Sequence, residues 1–246
     1  NYAGTLGLND TIARSSPVQV GALTNWSIPK QGRLNSFCIK TDGTLWAWGF
    51  NAVGQLGLND TVNRSSPVQI GASTTWTAIS AGHNNASDRS VAAIDNGKLF
   101  AWGINDYGQL GLNNTISRSS PVQVGALTNW EIPAVTVEFS ICVKTNGTLF
   151  AWGSNNHGQL GLNNLTDYSS PKQVGSLTNW ARPVNAPNQF SICAKTDGTL
   201  WSWGRNLYGN LGLGDTNSRS SPTQVGALTT WALPTAMSNE AGCIQT

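Results

Sequence analysis

The sequence predicts an all-β propeller made of four-stranded blades of about 50 residues each. Three observations carry that prediction. Trp-Gly pairs recur at Trp48-Gly49, Trp102-Gly103, Trp152-Gly153 and Trp203-Gly204, spaced 54, 50 and 51 residues apart. A Gly-x-Leu-Gly-Leu block follows each pair, starting at Gly54, Gly108, Gly158 and Gly209, and a fifth copy at Gly4 has no Trp-Gly before it. Asp42-Gly43, Asn96-Gly97, Asn146-Gly147 and Asp197-Gly198 each separate two short apolar runs, which is how a β-hairpin reads in sequence. A residue present in every unit is there to build the unit, so function is sought where the units differ.

One unit shows the elements in order. Ser36 to Thr41 is a short apolar strand, and Asp42-Gly43 turns it, because Gly accepts a positive φ and Asp tolerates one. The second strand, Thr44 to Trp48, places Leu45 and Ala47 on one face and Trp46 and Trp48 on the other. A strand apolar on both faces must be covered on both, and neighbouring blades supply that cover. Gly49 to Gly54 is a loop, and the following Gly-Gln-Leu-Gly-Leu is expected to pack against the strand pair. Asn59 to Pro67 reads as a polar connection and Val68 to Gly71 as a third short strand. Trp76 and Ile79 lead inward to the next unit. Helical periodicity is absent throughout.

The chain has 246 residues, enough for one domain over 1–246 holding five repeats with a partial repeat at each end. The net charge of +2 and the even scatter of charges leave no basic stripe for nucleic acid. No apolar run is long enough for membrane insertion. Only 11% of residues are charged, with Asn, Ser, Thr and Gly filling the polar positions, a composition common in virion and extracellular or cell-surface proteins. A cytoplasmic location stays open. The hairpin turn and Trp-Gly strand of one unit are missing between the two ends. The expectation is therefore a segment of a longer propeller, with Asp/Asn-Gly following Thr246 and a Trp-Gly strand preceding Asn1.

Cys38, Cys142, Cys193 and Cys243 share one slot, filled by Ala92 in the second unit. A slot that takes Cys or Ala is small, buried and apolar, so these are expected to be reduced core thiols, with no metal bound. No cofactor is expected, and no catalytic motif is present. His83 and His157 are the only histidines, and no Gly-x-Ser-x-Gly, His-Glu-x-x-His or phosphate loop occurs.

The run from Leu45 to Leu58, Leu-Trp-Ala-Trp-Gly-Phe-Asn-Ala-Val-Gly-Gln-Leu-Gly-Leu, resembles the repeat of the regulator of chromosome condensation family. So does Ser80-Ala81-Gly82 followed by Ser90 to Gly97. The resemblance covers essentially the whole chain. It implies a propeller, typically seven-bladed, used as a rigid disc for binding other proteins. Members of the family include an exchange factor for a small GTPase, a secreted inhibitor of β-lactamases, and bacterial and phage proteins, to which the connections here are most similar. The family's usual Ala-Gly-x-x-His-Ser opening is not kept. Its His slot holds Asn35, Arg89, Phe139, Phe190 and Glu240.

These variable positions are the candidate binding residues. Before the Gly of the post-Trp-Gly loop stand Ala3, Val53, Tyr107, His157 and Tyr208. Tyr107, His157 and Tyr208 are expected together on one disc face, with Asn35, Arg89, Phe139, Phe190 and Glu240 around the central channel. Variation within a constant frame is the pattern of a binding face on a repeat scaffold, although drift of exposed loops gives the same pattern. Asp10, Asp60 and Asp215, four residues before Arg14, Arg64 and Arg219, read as local ion pairs that pin a loop. The sequence therefore points to a non-enzymatic module that engages a protein partner or a virion or surface assembly through one disc face. Two rivals stand beside it. One is a secreted inhibitor or exchange-factor-like regulator. The other is a lectin-like propeller with one glycan site per blade, stacking sugars on Trp26, Trp76, Trp130, Trp180 and Trp231.

Overall fold

The computed structural model describes residues 1–82, 90–186, 189–236 and 241–245. Four antiparallel four-stranded sheets follow one another in order. The first blade is β1 (Trp26–Gln31), β2 (Asn35–Lys40), β3 (Leu45–Gly49) and β4 (Arg64–Gln69). The second is β5 (Trp76–Ala81), β6 (Ser90–Asp95), β7 (Lys98–Gly103) and β8 (Arg118–Gln123). The third is β9 (Trp130–Val135), β10 (Phe139–Lys144), β11 (Leu149–Gly153) and β12 (Tyr168–Gln173). The fourth is β13 (Trp180–Ala186), β14 (Phe190–Lys195), β15 (Leu200–Gly204) and β16 (Arg219–Gln224). A two-stranded sheet, β17 (Trp231–Ala236) with β18 (Ala241–Gln245), comes last. Arg14 to Gln19, the first copy of the outer-strand sequence, lies in no sheet. No strand pairing among the described residues links it to β18.

Each blade begins at its closing Trp. The first strands β1, β5, β9, β13 and β17 pack against one another in turn, so they form the inner layer. The outermost strand starts earlier than the sequence indicated, at Arg64 rather than Val68, and takes in the Ser-Ser-Pro block. Gly49 faces Arg64 across a bulge. Pro67 fits because the strand is an edge, where a missing N–H breaks no ladder bond.

Adjacent blades interlock through the Trp-Gly strand. Trp48, Trp102, Trp152 and Trp203 are buried, as their two-faced apolar strands require. The indole N–H of Trp102 donates to the Gln55 carbonyl of the blade before it (3.0 Å), and Trp152 and Trp203 do the same to Gln109 (2.8 Å) and Gln159 (2.9 Å). The Gly-Gln-Leu-Gly-Leu block thus packs on the following blade. A Cβ on Gly57 would stand 2.9 Å from the Trp102 indole nitrogen.

The second blade departs from the others in register. In blades one, three and four the hairpin loop has three residues, as in Thr145-Asn146-Gly147, where the N–H of Gly147 donates to the Lys144 carbonyl (2.8 Å) and that of Lys144 to the Thr148 carbonyl (3.0 Å). In blade two, Asp95 pairs directly with Lys98, leaving the two-residue turn Asn96-Gly97 with both residues at positive φ. The loss of one loop residue moves the frame by one. Ala93 faces Phe100 and Ile79, as Cys142 faces Phe150 and Pro133. The occupant of the cysteine slot in blade two is therefore Ala93, not Ala92. Cys38, Cys142 and Cys193 are buried thiols outside any disulfide, and burial raises the pKa of Cys38 and of Cys142. Cys243 faces Pro234 in β18, and its side chain lies outside the described residues.

Candidate functional site: the loop face

The blades leave two ends of different character. One end carries the connections from third to fourth strand, over residues 50–63, 104–117, 154–167 and 205–218. The other carries the hairpins between second and third strands and the crossovers to the next blade.

The loop end is braced from inside. Gly49 has φ 105°, and a Cβ there would meet the Leu34 carbonyl oxygen at 2.5 Å, so only Gly allows the chain to leave the strand at this angle. The next device is a buried Asn. The Asn51 amide donates to the Asp60 carbonyl (3.0 Å) and the Val62 carbonyl (3.2 Å), while its side-chain oxygen accepts from Leu56 N–H (2.8 Å). Asn105 and Asn206 repeat the full set, and Asn155 repeats its bonds to the Leu160 N–H and the Asn164 carbonyl. The first three loops also grip the next blade, where Asn59, Asn113 and Asn163 donate their N–H groups to the carbonyls of Ser119, Ser169 and Ser220. These asparagines were not singled out from sequence. Their signal was constancy inside a loop, where only the variable neighbours had drawn attention.

The two residues between that Asn and the following Gly are what the brace presents. Tyr107, His157 and Tyr208 occupy this slot in successive loops. Tyr107 is 44% exposed and Tyr208 72%, while His157 is half-buried. The backbone N–H groups of Tyr107 and His157 are held by the Gln109 and Gln159 side chains, both at 2.9 Å. Leu207 and Tyr2 are exposed in the same slots, and Ile12, Val62, Ile116 and Leu165 are exposed farther along the same loops. An arc of aromatic and aliphatic side chains thus stands on loops held firmly from beneath.

Charge at this end is paired locally. Arg14, Arg64 and Arg219 form ion pairs with Asp10, Asp60 and Asp215. The Val62 N–H, then the Arg64 guanidinium, hold the Asp60 carboxyl below its usual value. In the third blade the pair becomes a bond from the Asn164 amide to the Tyr168 hydroxyl (3.3 Å). Among the described residues no group of His, Cys, Asp and Glu is arranged to hold a metal.

The proposed channel ring is corrected. Phe139 and Phe190 are 1% and 0% exposed, Phe139 in a core that reaches Trp203 of the next blade and Phe190 against Leu211 and Leu213 of its own, and Asn35 is 3% exposed. All three begin second strands, opposite Gly153, Gly204 and Gly49, one strand out from the inner layer. They cannot reach a partner. Arg89 and Glu240 lie outside the described residues, and register places Ser90 in the blade-two slot. The glycan reading fails in the middle blades, because Trp76, Trp130 and Trp180 are buried, each edge-on to two rings.

At the hairpin end, Lys40, Lys144 and Lys195 lie over pairs of rings. The ammonium of Lys195 is 3.7 Å from the Trp201 ring centre and 4.6 Å from that of Trp180. Desolvation lowers the pKa of Lys144 and of Lys195. Blade two has Asp95 instead, its carboxylate accepting from Ser73 (2.8 Å) and Thr75 (2.5 Å).

A model of the Regulator of chromosome condensation (RCC1) repeat matches residues 42–86, 96–139, 146–194 and 197–232. The ultraviolet-B receptor UVR8 of Arabidopsis thaliana is 29% identical over 143 residues, covering 56% of this chain and 32% of the receptor. The E3 ubiquitin-protein ligase HERC2 of Mus musculus is 28% identical over 200 residues, covering 80% of this chain and 4% of the ligase. The chain thus spans a third or less of the curated relatives it matches. Among solved structures, human WBSCR16 superposes with a TM-score of 0.81 at 17% identity, covering 99% of this chain and 66% of that one. Prp20p of Saccharomyces cerevisiae, whose structure was described together with its binding to Gsp1p and histones, gives a TM-score of 0.77 at 19% identity, covering 95% and 59%.

Proposed function

The chain belongs to the regulator of chromosome condensation repeat family, and on that footing we propose that it is a non-enzymatic module that binds a protein partner through its loop face. The observation that carries the reading is the arc of exposed Tyr107, Tyr208, Leu207, Val62, Ile116 and Leu165 on braced loops. Aromatic side chains on a rigid base lose little entropy on binding and supply most of the energy in protein interfaces. The binding of Gsp1p and histones by Prp20p supports a protein as the ligand class. The low-charge, Asn- and Ser-rich surface supports a place in a virion or at a cell surface. An exchange-factor-like regulator is the second reading, favoured by the same likeness.

A photo-crosslinking residue placed at position 107 or 208 tests the proposal in the source organism or particle. A discrete protein adduct is expected there and from a crosslinker at position 116, and the adduct at 116 is expected to be lost when Tyr107→Ala and Tyr208→Ala are combined. Positions 127 and 177 report on the hairpin end. Adducts confined to those two positions overturn the reading.

A further inference from the structure

The two Asn-Gly pairs of the chain occupy equivalent hairpins, yet their chemical surroundings differ. Asn146 is clamped. Its side-chain oxygen accepts from the N–H of Thr148 (3.2 Å) and from the Thr148 hydroxyl (2.7 Å). The Gly147 N–H is itself engaged, donating to the Lys144 carbonyl at 2.8 Å. Asn96 has neither restraint. It is exposed in the two-residue turn, its side chain makes no hydrogen bond among the described residues, and the Gly97 N–H has no acceptor there.

We propose that Asn96 is a site of spontaneous deamidation in the folded protein and that Asn146 is protected. In the reaction the Gly97 backbone nitrogen loses its proton and attacks the side-chain carbonyl carbon of Asn96. A carbon–nitrogen bond forms, the bond to the side-chain nitrogen breaks, and ammonia leaves. Water then opens the five-membered imide at either carbonyl, giving Asp or isoaspartate at position 96. No oxidant or metal is needed. An N–H already donating to a carbonyl must give up that bond before it can be deprotonated and attack, and a clamped side chain must be released as well. The Gly97 nitrogen has no such bond to give up because Asp95 pairs directly with Lys98, so this difference follows from the shorter hairpin. The product places a new carboxylate next to Asp95, whose own carboxylate is held by Ser73 and Thr75. At position 146 an Asp would only reproduce Asp42 and Asp197, which make the same bonds to Thr44 and Thr199.

The test is incubation of the full chain at mildly alkaline pH, with acidic digestion and mass spectrometry of the peptides holding 96 and 146. The same chain in denaturant supplies each site's intrinsic rate. Folding is expected to slow Asn146 by at least about five-fold more than Asn96, the factor one hydrogen bond supplies. Thr148→Val, which keeps the volume and removes the hydroxyl donor, is expected to raise the Asn146 rate and leave Asn96 unchanged. Equal protection at the two sites, or faster reaction at Asn146, overturns the proposal.

Discussion

Blades two and three carry the same Trp-Gly strand and the same closing Trp, yet they differ by one residue in one hairpin. In blade three Lys144 lies over Trp130 and Phe150. The strand-equivalent residue of blade two is Asp95, bonded to Ser73 and Thr75. Ser140 of blade three donates to the Gln109 carbonyl. Register puts Val91 at that place in blade two, and among the described residues the Gln55 carbonyl accepts from Trp102 alone. A one-residue change of frame reverses which face a side chain takes. Blade two accepts it because Ala92 and Ala93, side by side, are small enough for either face. The two blades teach that the hairpin can vary in length while the Trp-Gly strand cannot shift, since its Gly and Trp are fixed by neighbours.

The comparison can be broken most directly at the shared element. Trp102→Ala and Trp152→Ala are each expected to cost about 3–5 kcal/mol in denaturant unfolding, because each leaves a large cavity between blades and takes an indole donor from the Gln55 or Gln109 carbonyl. Costs differing by more than about 2 kcal/mol would mean that register, and not the Trp-Gly strand, sets the strength of an inter-blade contact.

A smaller effect separates hairpin glycines from crossover glycines. Gly97 and Gly147 both have positive φ, and a Cβ would lie 2.2 Å from the Thr128 carbonyl oxygen and 2.0 Å from that of Thr178. Their replacement by Ala is expected to cost about 2 kcal/mol or more. Gly125 shares the positive φ with nothing within 4 Å, so Gly125→Ala is expected to cost about 1 kcal/mol. Equal midpoints for Gly125→Ala and Gly147→Ala would show that the hairpins yield freely to the crossovers beneath them.

The smallest effect concerns the loop-face ion pairs. Asp60 pairs with Arg64, whereas the next unit has Asn114 opposite Arg118. Arg64→Ala is expected to cost under about 1 kcal/mol, and Arg118→Ala less still. The sign with pH follows from the lowered folded pKa of Asp60. Its stabilisation is complete above the unfolded value of about 4 and is lost as pH falls through the folded value. Asp60→Asn should therefore flatten the acid limb of the stability curve slightly. A steeper acid limb in that variant would contradict the assignment.

Much of this architecture is legible in the residues themselves. The period, the Asp/Asn-Gly turns and the burial of Trp48, Trp102, Trp152 and Trp203 follow from local patterning, because alternation along a strand is a property of the chain. The slot holding Tyr107, His157 and Tyr208 is legible for the same reason: constant neighbours frame it. What lies beneath that slot is not. The brace from Asn51 spans up to eleven residues to Val62, and nothing local distinguishes a bracing Asn from an exposed one. Phe139, Phe190 and Asn35 show the limit most clearly. Their position in the unit was readable, but whether a second strand faces the axis or a neighbouring blade depends on which strand forms the inner layer. That choice is made by packing between blades some 50 residues apart, as is the frame of blade two, where small side chains leave both faces open and the hairpin length decides between them.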